Sequence, residues 1–180
     1  MLHVSTADCE GALATICAAP PDEGTIELIV RRPGVGRREL LDVAELDLEL
    51  GLIGDTWSVR GSSSTADGRA NPDAQVTMIN SRLIALLAQS PERWALAGDQ
   101  LYVDLDVSIE NLPPGTRLTF GNAVIEVSAK PHTGCAKFRD RFGVDAVRFV
   151  NAHPELRLRG VNTRVVVAGT FRRGDTIRKV

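Results

Sequence analysis

The sequence predicts a mainly β fold, a barrel-like arrangement of mixed strands with a few short helices, organised as one domain over residues 25–180. Three observations predict it. Gly, Pro, Asn and Asp punctuate the chain roughly every ten residues, a spacing that suits many short strands better than a few long helices. The stretches between are rich in Val, Ile, Leu and Thr, which favour pleated, half-buried surfaces. The chain has 180 residues, 43% hydrophobic and 24% charged, enough for one domain with its own core.

Taken in order, residues 1–24 are weakly patterned: an ill-defined first strand is followed by the short linker Ala18-Ala19-Pro20-Pro21. Strands are predicted at Thr25–Arg32, Arg38–Leu46, Gln75–Ile79, Leu101–Val107, Arg117–Phe120, Ala123–Ala129, Thr163–Ala168 and Thr176–Val180. Gly121-Asn122 marks a two-residue hairpin turn, which puts Ile125 and Val127 on one face and Val124, Glu126 and Ser128 on the other. Ser81–Gln89, behind an Asn80 or Ser81 cap, and Pro91–Leu96 are predicted as helices closing one end of the barrel. A third helical stretch starts at or just after Cys135, breaks at Gly143 and resumes over Val144–Asn151. Arg60–Asp73, with three serines, two glycines and a proline, is an exposed loop, either a plain connection or a lid over a ligand.

Several function classes are excluded or disfavoured. No apolar run approaches the ~18 residues of a membrane span, and the start lacks a basic flank and long apolar core, so a cytoplasmic address is expected. Cys9, Cys17 and Cys135 include no C-x-x-C pair, so neither a disulfide framework nor a four-cysteine zinc site is available. The net charge of −2 averages unlike regions: residues 1–129 hold 9 Lys and Arg against 19 Asp and Glu, whereas residues 130–173 hold 10 against 3. That basic block surrounds Cys135. Nucleic acid is not the expected partner, because Phe138, Phe142 and Phe149 recur at helical spacing and read as core rather than as a stacking platform.

Cys135 is the predicted chemical centre. Pro131 and Gly134 turn the chain, and Cys135 falls where a helix would begin, with Lys130, His132, Lys137, Arg139 and Arg141 close in sequence. Free backbone N–H groups and positive charge both favour a thiolate. Such a sulfur can act as a soft metal ligand or as a carrier of transferable sulfur. A Cys135–His132 nucleophilic pair and a zinc site adding His153 or His3 are further readings. Asp55 can orient a flat heterocycle by accepting from ring amines, and Arg159, Asn162 and Arg164, flanking Gly160, can converge on the cysteine. The alternative from another class is a non-enzymatic barrel module that uses the basic face to bind a partner protein or nucleic acid.

From about Thr25 onward the chain resembles the MOSC domain family, named for the C-terminal part of molybdenum cofactor sulfurases. The resemblance rests on ordered landmarks: Gly51–Asp55, Gln75–Asn80, Gly98-Asp99 leading into Leu101–Ser108, Gly115, Cys135 and Gly174-Asp175. It implies a MOSC-like β-barrel and a molybdenum-molybdopterin cofactor. Cys135 would then ligate molybdenum or carry sulfur as a persulfide. Cofactor contacts would come from Asp55, His132, Lys137, Arg139, Arg159, Asn162 and Arg164. The implied activity is a molybdenum-pterin-dependent oxidoreductase or a sulfur transferase, with a cysteine desulfurase or an electron-transfer protein as partner. The chain departs from the family pattern at Gly54-Asp55-Thr56-Trp57, at Tyr102–Leu105 and in Pro131–Cys135.

Overall fold

The structure is a computed structural model that describes residues 3–180. In chain order its elements are α1 (Thr6–Gly11), α2 (Leu13–Cys17), β1 (Glu23–Arg31), β2 (Glu39–Leu41), β3 (Val43–Asp47), β4 (Gly51–Leu52), α3 (Trp57–Arg60), β5 (Val76–Asn80), α4 (Ser81–Ala88) and β6 (Leu101–Asp104). These are followed by β7 (Arg117–Phe120), β8 (Ala123–Val127), α5 (Ala136–Phe142), α6 (Val144–Ala152), β9 (Val161–Val167), β10 (Gly169–Arg172) and β11 (Thr176–Lys179). Short 3-10 helices occupy Pro72–Ala74, Pro91–Ala97 and Pro154–Leu156.

Seven strands close into a barrel in the order β11-β7-β8-β9-β5-β6-β1, with β1 returning to β11. Closure leaves no free strand edge in the ring, which removes a template for aggregation. β1 serves several partners: Glu23–Thr25 pair with β11, Ile29–Arg31 with β2, and β6 runs along its other side. The ring is mixed because β5 and β6 are parallel. Parallel neighbours need a crossover, and α4 with Pro91–Ala97 supplies it. A separate sheet, β10-β3-β4, lies beside the barrel.

Alternation along the strands builds two cores. Ile29, Met78, Leu101 and Val103 face the barrel interior with Phe120, Ile125 and Val165. Leu28, Val30, Ile79 and Tyr102 face outward and are covered by Leu83, Leu87, Phe138, Phe142 and Phe149. Strands apolar on both faces are what a covered sheet wall requires. A register shift between Ile26 and Leu28 lets Ile26 and Ile29 both face inward despite their odd spacing.

The hairpin turn stands where the sequence places it: Phe120 pairs with Ala123 and Gly121 takes φ +52. Four expectations change. The strand expected over Arg38–Leu46 breaks at Asp42, and its halves join different sheets, β2 on the barrel and β3 on β10. β4 and β10 are not anticipated: β4 has two residues, and β10 follows β9 after the single residue Ala168. α4 and Pro91–Ala97 cover the outer wall of β5 and β6 rather than an end. Before residue 24 the chain forms α1 and α2 instead of a strand; Ser5 and Asp8 make a reciprocal capping box, and Cys9 and Ile16 anchor the pair in the outer core. Among the described residues, no helix is long and apolar enough to cross a membrane.

Candidate functional site

Beyond β8 the segment from Ser128 to Cys135 leaves the barrel without regular structure and is held by two side-chain amides. Asn162, buried on β9, donates to the carbonyls of Lys130 and Pro131 at 3.1 Å each. Asn151, at the end of α6, accepts from the Gly134 N–H at 2.9 Å. Gly134 lies so close to α6 that an added Cβ would stand 3.1 Å from Val150 and 3.2 Å from Val147. Cys135 follows as the N-cap of α5, extended at φ −114, exposed, with its carbonyl accepting from Arg139 N–H at 3.0 Å.

The segment forms one wall of a cleft of about 580 Å³, lined by Cys135, His132, Lys137, Arg159 and Asn162 together with Arg32, Arg38, Arg60 and Arg141. Three of these guanidiniums converge on Gly98. Arg32 donates to the Gly98 carbonyl at 2.9 Å, and a Cβ built on Gly98 would lie 3.6 Å from both Arg38 Nη2 and Arg141 Nη1. Only Arg32 is neutralised: Asp55 accepts from its Nε at 2.8 Å and its Nη2 at 2.9 Å. Arg38 and Arg141 donate to main-chain carbonyls of Ala95 and Leu96, and neither pairs with a carboxylate among the described residues. Burial, then Arg141 and Arg32, hold Arg38 below the ordinary arginine range. The two cations repel each other, a cost that an anion between them would reverse.

Beneath the cleft lies a buried polar cluster. Asp99 is fully buried and accepts from Arg159 Nη1 at 2.7 Å; Arg159 also donates to Ala97 O and stacks 4.7 Å over the Phe138 ring. Because Phe138 belongs to α5, this stack ties the helix capped by Cys135 to the turn that leads into β9. The other Asp99 oxygen is 3.6 Å from His132 Nδ1, beyond hydrogen-bond length, and both atoms are buried without a partner. Burial, helped by Arg159 and opposed by Asp99, pushes the His132 ring down to about 4, so it is neutral at pH 7.

Of the residues singled out in the sequence, Cys135, His132, Lys137, Arg159 and Asn162 share the cleft. Asp55 lies behind Arg32, its oxygens taken by that guanidinium and by the N–H groups of Arg32 and Trp57, so it acts through Arg32. Arg139 projects to solvent beside Asp140, and Arg164 pairs with Glu126 on the barrel surface. Arg32, Arg38 and Arg60 escape a reading based on local charge because they come from the acidic part of the chain. The available signal was the Arg-flanked turn Pro33–Gly36 and an aspartate, Asp99, set between Gly98 and an apolar strand. Among the described residues no cluster of three or more His, Cys, Asp or Glu side chains stands ready to hold a metal, so the zinc reading through His153 or His3 finds no assembled ligand set.

No family model matches the chain, and no curated protein matches it in sequence. Solved structures do match. The chain is similar to the YuaD protein of Bacillus subtilis, with TM-score 0.66 and 18% identity over 86% of this chain and 94% of that one. The fold is MOSC-like. YiiM from Escherichia coli is similar as well, with TM-score 0.56 and 20% identity over 87% of this chain and 69% of that one. YiiM from Geobacillus stearothermophilus aligns with TM-score 0.54 and 12% identity over 89% of this chain and 73% of that one. At such identities the likeness speaks for the MOSC-like barrel alone.

Proposed function

We propose that this MOSC-like protein binds an anionic molybdopterin-type cofactor in the cationic cleft, with Cys135 as molybdenum ligand or persulfide carrier. The observation that carries the reading is the convergence of Arg32, Arg38 and Arg141 on Gly98, with one carboxylate between three cations, in a cleft that also exposes a single thiol. The donor set fits. A guanidinium fork matches phosphate oxygens, a thiolate is a soft ligand, and about 580 Å³ lies within the usual range of cofactor pockets. Arg38 and Arg141 would hold the phosphate, and Arg32, fixed by Asp55, would orient it. Cys135 would meet the metal, whose chemistry when bound is two-electron redox at molybdenum. His132, neutral and beside Asp99, would present an uncharged imidazole to the cleft that Cys135 also lines.

A second reading, a barrel module that docks a partner protein, draws on Val35 and Val59, which stand 101% and 82% exposed at the rim of the same cleft. One experiment separates the two. The protein is purified from cells that make the cofactor, its molybdenum is measured by plasma mass spectrometry, and the pterin by fluorescence after oxidation. Both are expected to copurify, to be lost together in Arg38→Ala/Arg141→Ala, and to lose the metal in Cys135→Ser. A native mass increase of about 32 Da on Cys135 would mark the sulfur-carrying form. Absence of metal, pterin and added sulfur alike would leave the docking module.

A further inference from the structure

A second cavity lies on the other side of the Lys130–Gly134 segment. It measures about 350 Å³ and shares His132, Arg159 and Asn162 with the cleft, so these residues form a partition between two chambers. Its chemistry differs from that of the cleft. Ile109, Val150 and Val161 give it an apolar lining, and no Asp or Glu among the described residues faces it.

Its distinctive cation is Arg157. This non-glycine residue holds the left-handed backbone conformation, φ +47, at the end of the Pro154–Leu156 turn, where glycine would fit without strain. Its guanidinium is half-buried and makes one hydrogen bond, Nη1 to the Leu112 carbonyl, with no ion pair among the described residues. Burial alone holds it below the ordinary arginine range. On the partition, the Nε of Arg159 is buried without a partner. A chain that keeps an arginine where glycine would be relaxed, partly desolvated and without a counter-charge, has a cation waiting for an anion.

We propose that this chamber is a second ligand site, taking a small organic carboxylate whose apolar body packs on Ile109, Val150 and Val161 while its carboxylate is met by Arg157. A carboxylate with an apolar body fits because its planar oxygens match the guanidinium fork of Arg157 and because most of the wall is hydrocarbon. The inference does not depend on the cofactor reading, since Arg157 lies outside the cleft.

Benzoate serves as the probe, with benzyl alcohol as its uncharged counterpart and inorganic phosphate as an anion without an apolar body. Binding to the full chain is followed through the methyl NMR signals of Ile109, Val150 and Val161. Benzoate is expected to shift these signals saturably, with benzyl alcohol at least about tenfold weaker and phosphate without effect on them. Arg157→Gly, which relaxes the backbone while removing the guanidinium, is expected to weaken benzoate about tenfold or more. Arg38→Ala is expected to leave benzoate binding unchanged. The proposal is overturned if benzoate moves only the Val35 and Val59 signals at the cleft, if benzyl alcohol binds equally well, or if Arg157→Gly binds as the parent does. Absence of saturable shifts at millimolar benzoate overturns it as well.

Discussion

Replacing His132 should change how stability depends on pH, and the structure sets the size and sign of the change. Burial pushes the folded-state ring down to about 4 from an ordinary 6.5. Above pH 6.5 the ring is neutral in both folded and unfolded chains, and its contribution to stability is fully present. Between 6.5 and about 4 the unfolded chain binds a proton that the folded chain refuses, so stability is lost progressively as pH falls through this window. At pH 5 the loss is about 2 kcal/mol, at 1.36 kcal/mol per unit of separation. Toward pH 4 it levels off at about 3 kcal/mol, because the folded ring itself then begins to bind the proton. The assay is urea denaturation of the parent and of His132→Gln at pH 7.5, 6, 5 and 4.5. Carboxylate protonation is common to both chains and cancels in their difference. The variant should gain about 2 kcal/mol on the parent between pH 7.5 and 5. A difference that stays flat over this range, or a His132 ring titrating near 6.5 by NMR, would refute the burial of a neutral imidazole beside Asp99.

Gly121→Ala should lower stability by about 2–4 kcal/mol, read as a fall in thermal midpoint, because φ is +52 there and the new Cβ would stand 2.3 Å from Thr170 O; an unchanged midpoint would show that the turn and β10 do not meet as described. Native-state alkylation followed by mass spectrometry should modify Cys135 and spare Cys9, which is fully buried and whose thiol burial and then Asp145 push up to about 11; modification of Cys9 at the rate of Cys135 would contradict the packing of α1.

The barrel was legible because most of its strands carry period-2 alternation over four or more residues, bounded by turns of recognisable chemistry. Arg117–Phe120, Gly121-Asn122 and Ala123–Val127 are the clearest case. β4, with two residues, has no period to detect. The split at Asp42 was hidden because Glu39–Leu41 and Val43–Asp47 are each consistent with one continuous strand, and only the presence of β10 as a competing partner separates them. At the site, local sequence supplied Cys135, His132 and Lys137, while Gly160 and its polar neighbours supplied Arg159 and Asn162. Of the three cations at Gly98, Arg141 lies close to the thiol in sequence, but the other two could not be read in this way. Arg32 and Arg38 reach Gly98 across more than fifty residues of chain, through closure of β1 against β6, whereas Arg139, close in sequence to the thiol, points to solvent.

The position of Cys135 follows from this long-range construction rather than from its own helix. α5 has seven residues and no side-chain cap, so it cannot fix its N-terminus by itself. What holds the thiol over the cleft is the irregular segment before it, clamped by Asn162 from the barrel and Asn151 from α6, with Phe138 fixed under Arg159 just after it. Each clamp comes from a different element, and Arg159 is itself oriented by Asp99. The geometry of the sulfur is therefore a property of the assembled barrel and its outer helices. The segment bearing His132 lines the thiol-bearing cleft on one face and the Arg157 chamber on the other, so the same clamps that place the sulfur also shape the second chamber.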